Sequence, residues 1–132
     1  MSNSRTFIIP GKPIPWKRAG YANGTFYCQQ KHSKLNTGIY IHNQHNGELF
    51  TGPLALDITF YFPMPLTQKK KWDELRLKHH CFLPDLDNLL KYYLDIFSGL
   101  LFEDDCSIAQ INARKLYDDV SRTEFTLTEI KS

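Results

Sequence analysis

From Leu54 to Phe62 the chain alternates strictly: Leu54, Leu56, Ile58, Phe60 and Phe62 are separated by Ala55, Asp57, Thr59 and Tyr61. A period of two is that of a strand with one buried face, and Pro63 and Pro65 close it. Further on the period changes. Leu90, Tyr93, Leu94 and Phe97 recur at helical spacing, Asp87 is a good N-cap type and Gly99 stands where a helix stops, so the pattern predicts a helix over 87–98. Thr6–Pro10 reads as a first strand, and residues 11–18, with Pro13 and Pro15, as a rigid extended loop. Residues 21–30 read as irregular or a short strand. Residues 33–46 give a helix with Leu35, Ile39 and His42 on one face, although Asn36, Gly38 and Asn43 are poor helix formers. Residues 67–80 form a basic helix or arm anchored through Trp72 and Leu75. Residues 107–116 and 123–130 are strands joined by a turn at Asp118-Asp119. The sum is an α+β chain, a mixed sheet of about four strands packed by two or three helices.

Composition adds boundaries. A chain of 132 residues is expected to be a single domain, 1–132, able to bury a core without staples. A hydrophobic fraction of 42% places it among folded globular proteins. No apolar run approaches the ~18 residues of a membrane span, and the polar residues 1–5 lack a signal-peptide pattern. The expected compartment is the cytoplasm, with nucleoid association. Cys28, Cys81 and Cys106 are odd in number and far apart, which argues against a disulfide framework, and no paired CxxC spacing suggests structural zinc.

Net charge is only +2, but its distribution is uneven. Six of the 14 acids, Asp85, Asp87, Asp95, Glu103, Asp104 and Asp105, fall within 85–105. Without those six the chain carries 16 basic against 8 acidic residues. An acidic focus on a basic body suits a nuclease, where cations grip phosphates and carboxylates hold a metal. Asp85 and Asp87, one residue apart behind Pro84, point the same way if that stretch is extended. Lys91 and Asp95 follow at successive helical turns from Asp87. The run 103–105 returns to the same region if the chain goes strand, helix, strand. Such oxygens suit Mg²⁺, with Mn²⁺ as a substitute. The plainer alternatives are a helix cap at Asp87, an exposed ion-pair ladder along 87, 91 and 95, and a solvated turn at 103–105.

The string Pro84-Asp85-Leu86-Asp87-Asn88-Leu89, with Lys91, Asp95, Gly99 and Asp104-Asp105 before a strand, resembles the RusA family of Holliday junction resolvases. Weaker similarity covers Pro13–Arg18 and the stretch from Gly52 through Pro65, which resembles the family strand before its basic loop, so the resemblance spans about residues 7–130. It implies a homodimeric, Mg²⁺-dependent endonuclease that binds four-way DNA junctions and nicks two strands symmetrically, in recombination and repair. It also implies that Asp85, Asp87 and Asp105 are the catalytic, metal-holding aspartates and Lys91 the essential lysine. With Glu103 extending the acidic run, Asp104 stays open as the third acid. Leu83 stands where many relatives have a lysine.

Lys17 and Arg18, and Lys69, Lys70, Lys71, Arg76 and Lys78, are candidate phosphate contacts, the second group in preference to a merely solvated face. Trp16, Tyr21, Phe26 and Tyr27 lie near the first group; ordinary packing is favoured over stacking on DNA. His42 and His45 read as surface residues. Two rivals to the resolvase reading are a catalytically idle, structure-selective DNA-binding protein and a nuclease for other branched DNA.

Overall fold

The computed structural model describes residues 3–130; the ends of the expected 1–132 domain, residues 1–2 and 131–132, lie outside the described residues. The elements run β1 (Ser4–Pro10), β2 (Gly20–Ala22), β3 (Thr25–Tyr27), α1 (Lys31–Gln44), β4 (Leu54–Pro63), a 3-10 turn (Leu66–Lys71), α2 (Trp72–Leu75), α3 (Leu86–Phe97), a second 3-10 turn (Asp105–Ser107), β5 (Ile108–Asp118) and β6 (Arg122–Glu129). Four strands form one mixed sheet in the order β1-β6-β4-β5, and β2 and β3 form a separate hairpin. The expected α+β architecture is therefore the observed one.

The sheet explains why α3 lies where it does. β4 and β5 are parallel neighbours, whereas β6 is antiparallel to both β4 and β1. A parallel pair needs a crossover connection, and α3 lies in the segment that supplies it. All five alternating apolar residues of β4 are buried, Phe7 and Ile9 join from β1, and Phe125 and Leu127 from β6. α3 closes this face with Leu89, Tyr92, Tyr93 and Phe97. The Tyr93 ring lies 5.5 Å from Phe60, and Phe97 stacks on Phe125 at 4.4 Å. Leu90 and Leu94, expected on the core stripe, are half-buried at its border. The opposite sheet face is polar: Ser4 pairs with Thr128, Thr6 with Thr126, and Arg114 with Asp57. There Arg114 bonds the buried Thr59 hydroxyl and Arg122 lies 3.8 Å over the Tyr61 ring.

α1 forms close to where the sequence puts it, but turned. It buries Thr37 and Ile41, whereas Leu35, Ile39 and His42 face outward. Thr37 bonds the Tyr92 hydroxyl at 3.3 Å beneath it. The expected helix over 67–80 is only the 3-10 turn and the four-residue α2; beyond it, backbone bonds to Lys115 and Tyr117 lay residues 77–80 along the free edge of β5. His80 there stacks on Phe62 at 4.3 Å. His45, read as a surface residue, sits between Phe7 and Phe50.

Both His45 nitrogens and His80 Nδ1 are buried without a hydrogen-bond partner among the described residues. Burial, with Arg5 near His45 and Lys115 near His80, lowers both imidazoles from their ordinary value. The unfolded chain takes up these protons near the ordinary value of about 6.5, so below that pH it binds more protons than the folded chain and stability falls as pH drops. Urea titrations at pH 7.5 and 5.5 are expected to show a lower midpoint at 5.5, and a His45→Leu/His80→Leu chain a smaller drop. Equal drops would remove these histidines as the cause.

Candidate nuclease site

α3 places the acidic residues by geometry. Leu89, Tyr93 and Phe97 are one turn apart, as are Asp87, Lys91 and Asp95, and the two rows are offset by two residues, about 200° around the helix. Burying the first row turns the second out, and Asp87, Lys91 and Asp95 are all exposed. The helix begins at Leu86, one residue before the expected 87–98, and its N-cap lies two residues before the expected one, at Asp85 rather than Asp87. Asp85 is extended, at φ −68° and ψ 146°, but Leu86 and Asp87 are already helical, so the extended geometry expected through Asp87 ends at Asp85. Asp85 accepts the first helical bond, from Leu89, through its carbonyl. Its carboxylate makes no capping bond among the described residues, although that is the ordinary use of an aspartate there.

The other acids follow the turn after α3. Ser98 is the C-cap, and Gly99, at φ +84°, takes the left-handed position that ends the helix, as expected. Asp105 opens the second 3-10 turn, with Asp104 just before it. The adjacent Asp104 carboxyl, with some loss of hydration and the Asp95 charge, raises the Asp105 carboxyl above its usual range, while Asp105 and the Cys106 amide lower Asp104. The other acid whose charge bears on Asp105 is Asp95, not Asp85 or Asp87. Asp95 lies ~12 Å along the helix axis from Asp87. Among the described residues, no three His, Cys, Asp or Glu side chains converge closely enough to hold one ion. Asp85, Asp87, Asp104 and Asp105 thus share one edge of α3 without forming a single ligand set. None of the four has an ion-pair partner among the described residues. Their chemistry, exposed carboxylate oxygens in like-charged pairs, nonetheless fits a hard divalent cation.

The ladder alternative fails on its central residue. Lys91 joins neither aspartate within ion-pair distance; its ammonium lies 5.3 Å over the Trp16 ring, and Asp95 pairs with Lys34 of α1 at 3.6 Å. Trp16 is held by its own N–H, which donates to the Asn88 carbonyl. Gln30, 7% exposed, staples the same loop: its oxygen accepts from the Lys17 amide at 2.9 Å and its nitrogen donates to the Pro15 carbonyl at 2.7 Å. Ile14 donates to the Tyr93 hydroxyl at 3.1 Å. Lys17 and Arg18 are thereby carried on a fixed loop beside α3.

Among the distal cations, Lys69, Lys70, Lys71 and Lys78 are exposed. Arg76 is committed elsewhere: it grips both oxygens of Asp119 at 2.9 Å and Asp73 at 2.9 Å, tying α2 to the β5–β6 turn, which keeps its guanidinium charged. The expected packing of Tyr21, Phe26 and Tyr27 does not occur; they are 64, 72 and 51% exposed. Trp16 alone of that group packs against the core.

Lys115 was not evident from the sequence. From β5 its ammonium donates to the carbonyls of Phe82 at 2.7 Å and Pro84 at 2.8 Å, so it clamps the residues leading into Asp85. Only the register of β5 reveals this; a lysine in an alternating strand carries no other signal. Lys115→Met is expected to lower stability by about 1–3 kcal/mol and to speed amide exchange at 82–85 while leaving Leu89–Tyr93 protected, read by hydrogen exchange with mass spectrometry. Unchanged exchange at 82–85 would mean that the clamp holds nothing.

The chain is similar to known proteins over most of its length. The family model Endodeoxyribonuclease RusA matches residues 10–128. A Bacillus subtilis (strain 168) relative, the uncharacterized protein YqaN, is 27% identical over 138 aligned positions, covering 96% of each chain. The crossover junction endodeoxyribonuclease rusA of Lactococcus phage r1t is 35% identical over 79 positions, covering 59% of this chain and 56% of the phage protein.

Proposed function

We propose, since this chain belongs to the RusA endodeoxyribonuclease family, that it resolves four-way DNA junctions by paired nicks, as a homodimer acting in recombination and repair. The observation that carries the reading is the set of unpaired carboxylates along one edge of α3, with Lys91 beside them. Asp85, Asp87 and Asp105, with Asp104, would hold Mg²⁺ or Mn²⁺, which supplies Lewis-acid polarisation of the phosphodiester when bound. Lys91, the cation on that face, would meet the scissile phosphate. A phosphate oxygen competes well for its ammonium, because an exposed cation–π contact is worth only about 0.5–1 kcal/mol. Lys17 and Arg18 on one side, and Lys69–Lys71 with Lys78 on the other, grip DNA arms through phosphates. Among the described residues no helix is long and apolar enough to cross a membrane.

A second reading, a structure-selective DNA-binding protein without cleavage, is favoured by the failure of three carboxylates to converge. One experiment separates the two: a synthetic four-way junction with and without Mg²⁺. The resolvase reading expects Mg²⁺-dependent symmetric nicks, with linear duplex and flap substrates cut less. Binding without nicks leaves the idle protein.

Asp87→Asn is expected to lower nicking by at least about 100-fold, or 2.7 kcal/mol in barrier, while junction affinity holds or rises because a charge facing phosphate is removed. Asp85→Asn and Asp105→Asn are expected to do the same. A dead Asp104→Asn beside an active Asp105→Asn would shift the third acid by one residue. Near wild-type nicking by Asp87→Asn would take the site off α3.

Two opposed nicks need two sites related by a two-fold axis, and one chain carries one acidic edge. Light scattering is expected to give about twice the 15.4 kDa chain mass. A heterodimer of wild-type and Asp87→Asn subunits is expected to nick a supercoiled cruciform without linearising it. A monomer that cuts both strands together would overturn the dimer.

A further inference from the structure

The β2–β3 hairpin carries more exposed aromatic surface than its own two strands can use. Asn23 and Gly24 turn it with φ of +53° and +76°, the signature of a tight two-residue hairpin turn. Tyr21 and Phe26 face each other across the strands at 4.9 Å. The Tyr27 ring lies over Gly20, where a Cβ would come within 2.3 Å of it. An isolated two-stranded ribbon is marginal in water, so aromatics exposed on one are costly unless something else contacts them. This ribbon is anchored at its base, where the Gln29 amide donates to the Arg18 carbonyl at 3.0 Å.

Between this ribbon and the body lies a surface pocket of about 310 Å³ lined by Trp16, Lys17, Ala19, Phe26, Tyr27 and Lys34. Three rings and two ammonium groups make its chemistry specific. The rings offer flat apolar faces, and the cations sit beside them as partners for an anion. Its volume is at the lower end of small-ligand sites. The pocket also adjoins the acidic edge: the Trp16 ring carries Lys91 on it, and Lys34 bonds Asp95.

We propose that this pocket binds one unpaired nucleotide of a DNA strand, with the base stacked on Phe26 and Trp16 and the phosphate against Lys17 and Lys34. An unpaired base shows both π faces, which aromatic side chains bind with little regard to sequence. A paired base in duplex cannot enter, so the pocket favours substrates that open at a branch, close to the strand that α3 would receive. The inference deepens the DNA reading and depends on it only for where the unpaired base comes from.

The test uses the full chain with Trp72→Phe, which leaves Trp16 as the indole reporter, titrated with a short fluorescent oligothymidylate. Anisotropy follows binding and Trp16 emission follows stacking. The strand is expected to bind and to quench Trp16 to saturation. Phe26→Ala is expected to weaken binding about ten-fold. Phe26→Leu, which keeps apolar contact but has no π face, is expected to behave like Phe26→Ala. Phe26 is largely exposed, so thermal melting of both variants serves as the check that the fold is intact. No binding of the strand, binding with unchanged Trp16 emission, or unchanged affinity in Phe26→Ala each overturns the proposal. Junction nicking is assayed beside it. Quenching without nicking removes the resolvase reading and leaves the pocket standing, whereas nicking without quenching does the reverse.

Discussion

The packing of one side of α3 against the sheet is the interaction on which the rest of this structure depends. Tyr93 against Phe60 and Phe97 against Phe125 fix both the position and the rotation of the helix. Truncating a buried ring of this kind typically removes about 3–5 kcal/mol, far more than any exposed charge contributes. The hydrophobic row therefore sets the geometry, and the row of Asp87, Lys91 and Asp95 is presented as a consequence. The same helix receives the other parts of the site. Asn88 holds the Trp16 backbone, Tyr93 holds Ile14, and the turn after Gly99 returns Asp104 and Asp105 to its far end.

Where one physical preference dominates, the sequence was readable. The alternation in β4 leaves a single face to bury, and all five expected residues are buried. Gly99 was readable because few other residues take a positive φ at a helix end. The N-cap of α3 lies two residues before the expected one because aspartate is an equally good cap type at 85 and 87, so residue type alone does not choose between them. The membership in the RusA family was legible through the spacing of Pro84–Leu89 with Lys91, Asp95 and Asp104-Asp105.

What was not legible depended on partners distant in sequence. α1 has little amphipathic pattern, so counting apolar residues selected Leu35 and Ile39; the inward face instead carries Thr37, which meets a tyrosine hydroxyl from α3. Tyr21, Phe26 and Tyr27 have compositions typical of a core, yet they fall on a ribbon that no sheet covers. Arg76 looked like one more phosphate contact, and only the fold shows Asp119 beside it, 43 residues away. In each case residue type gave the chemistry, while availability depended on a contact that local pattern does not encode.

The charges around α3 show how availability follows from small energies. An exposed pair at i,i+4 contributes only about 0.2–0.5 kcal/mol, so Lys91 loses little by leaving Asp87 and Asp95 for the Trp16 ring. Asp95 then pairs with Lys34 from another helix, and Asp87 stays without an ion-pair partner among the described residues, near the helix start where the dipole favours a carboxylate. At the other end, Asp104 and Asp105 stand side by side and shift each other's carboxyls in opposite directions. Both acidic groups are exposed, so water and salt screen their repulsion and the chain can carry them without an ion-pair partner among the described residues. A bound divalent charge would offset more of that repulsion than screening or the helix dipole does.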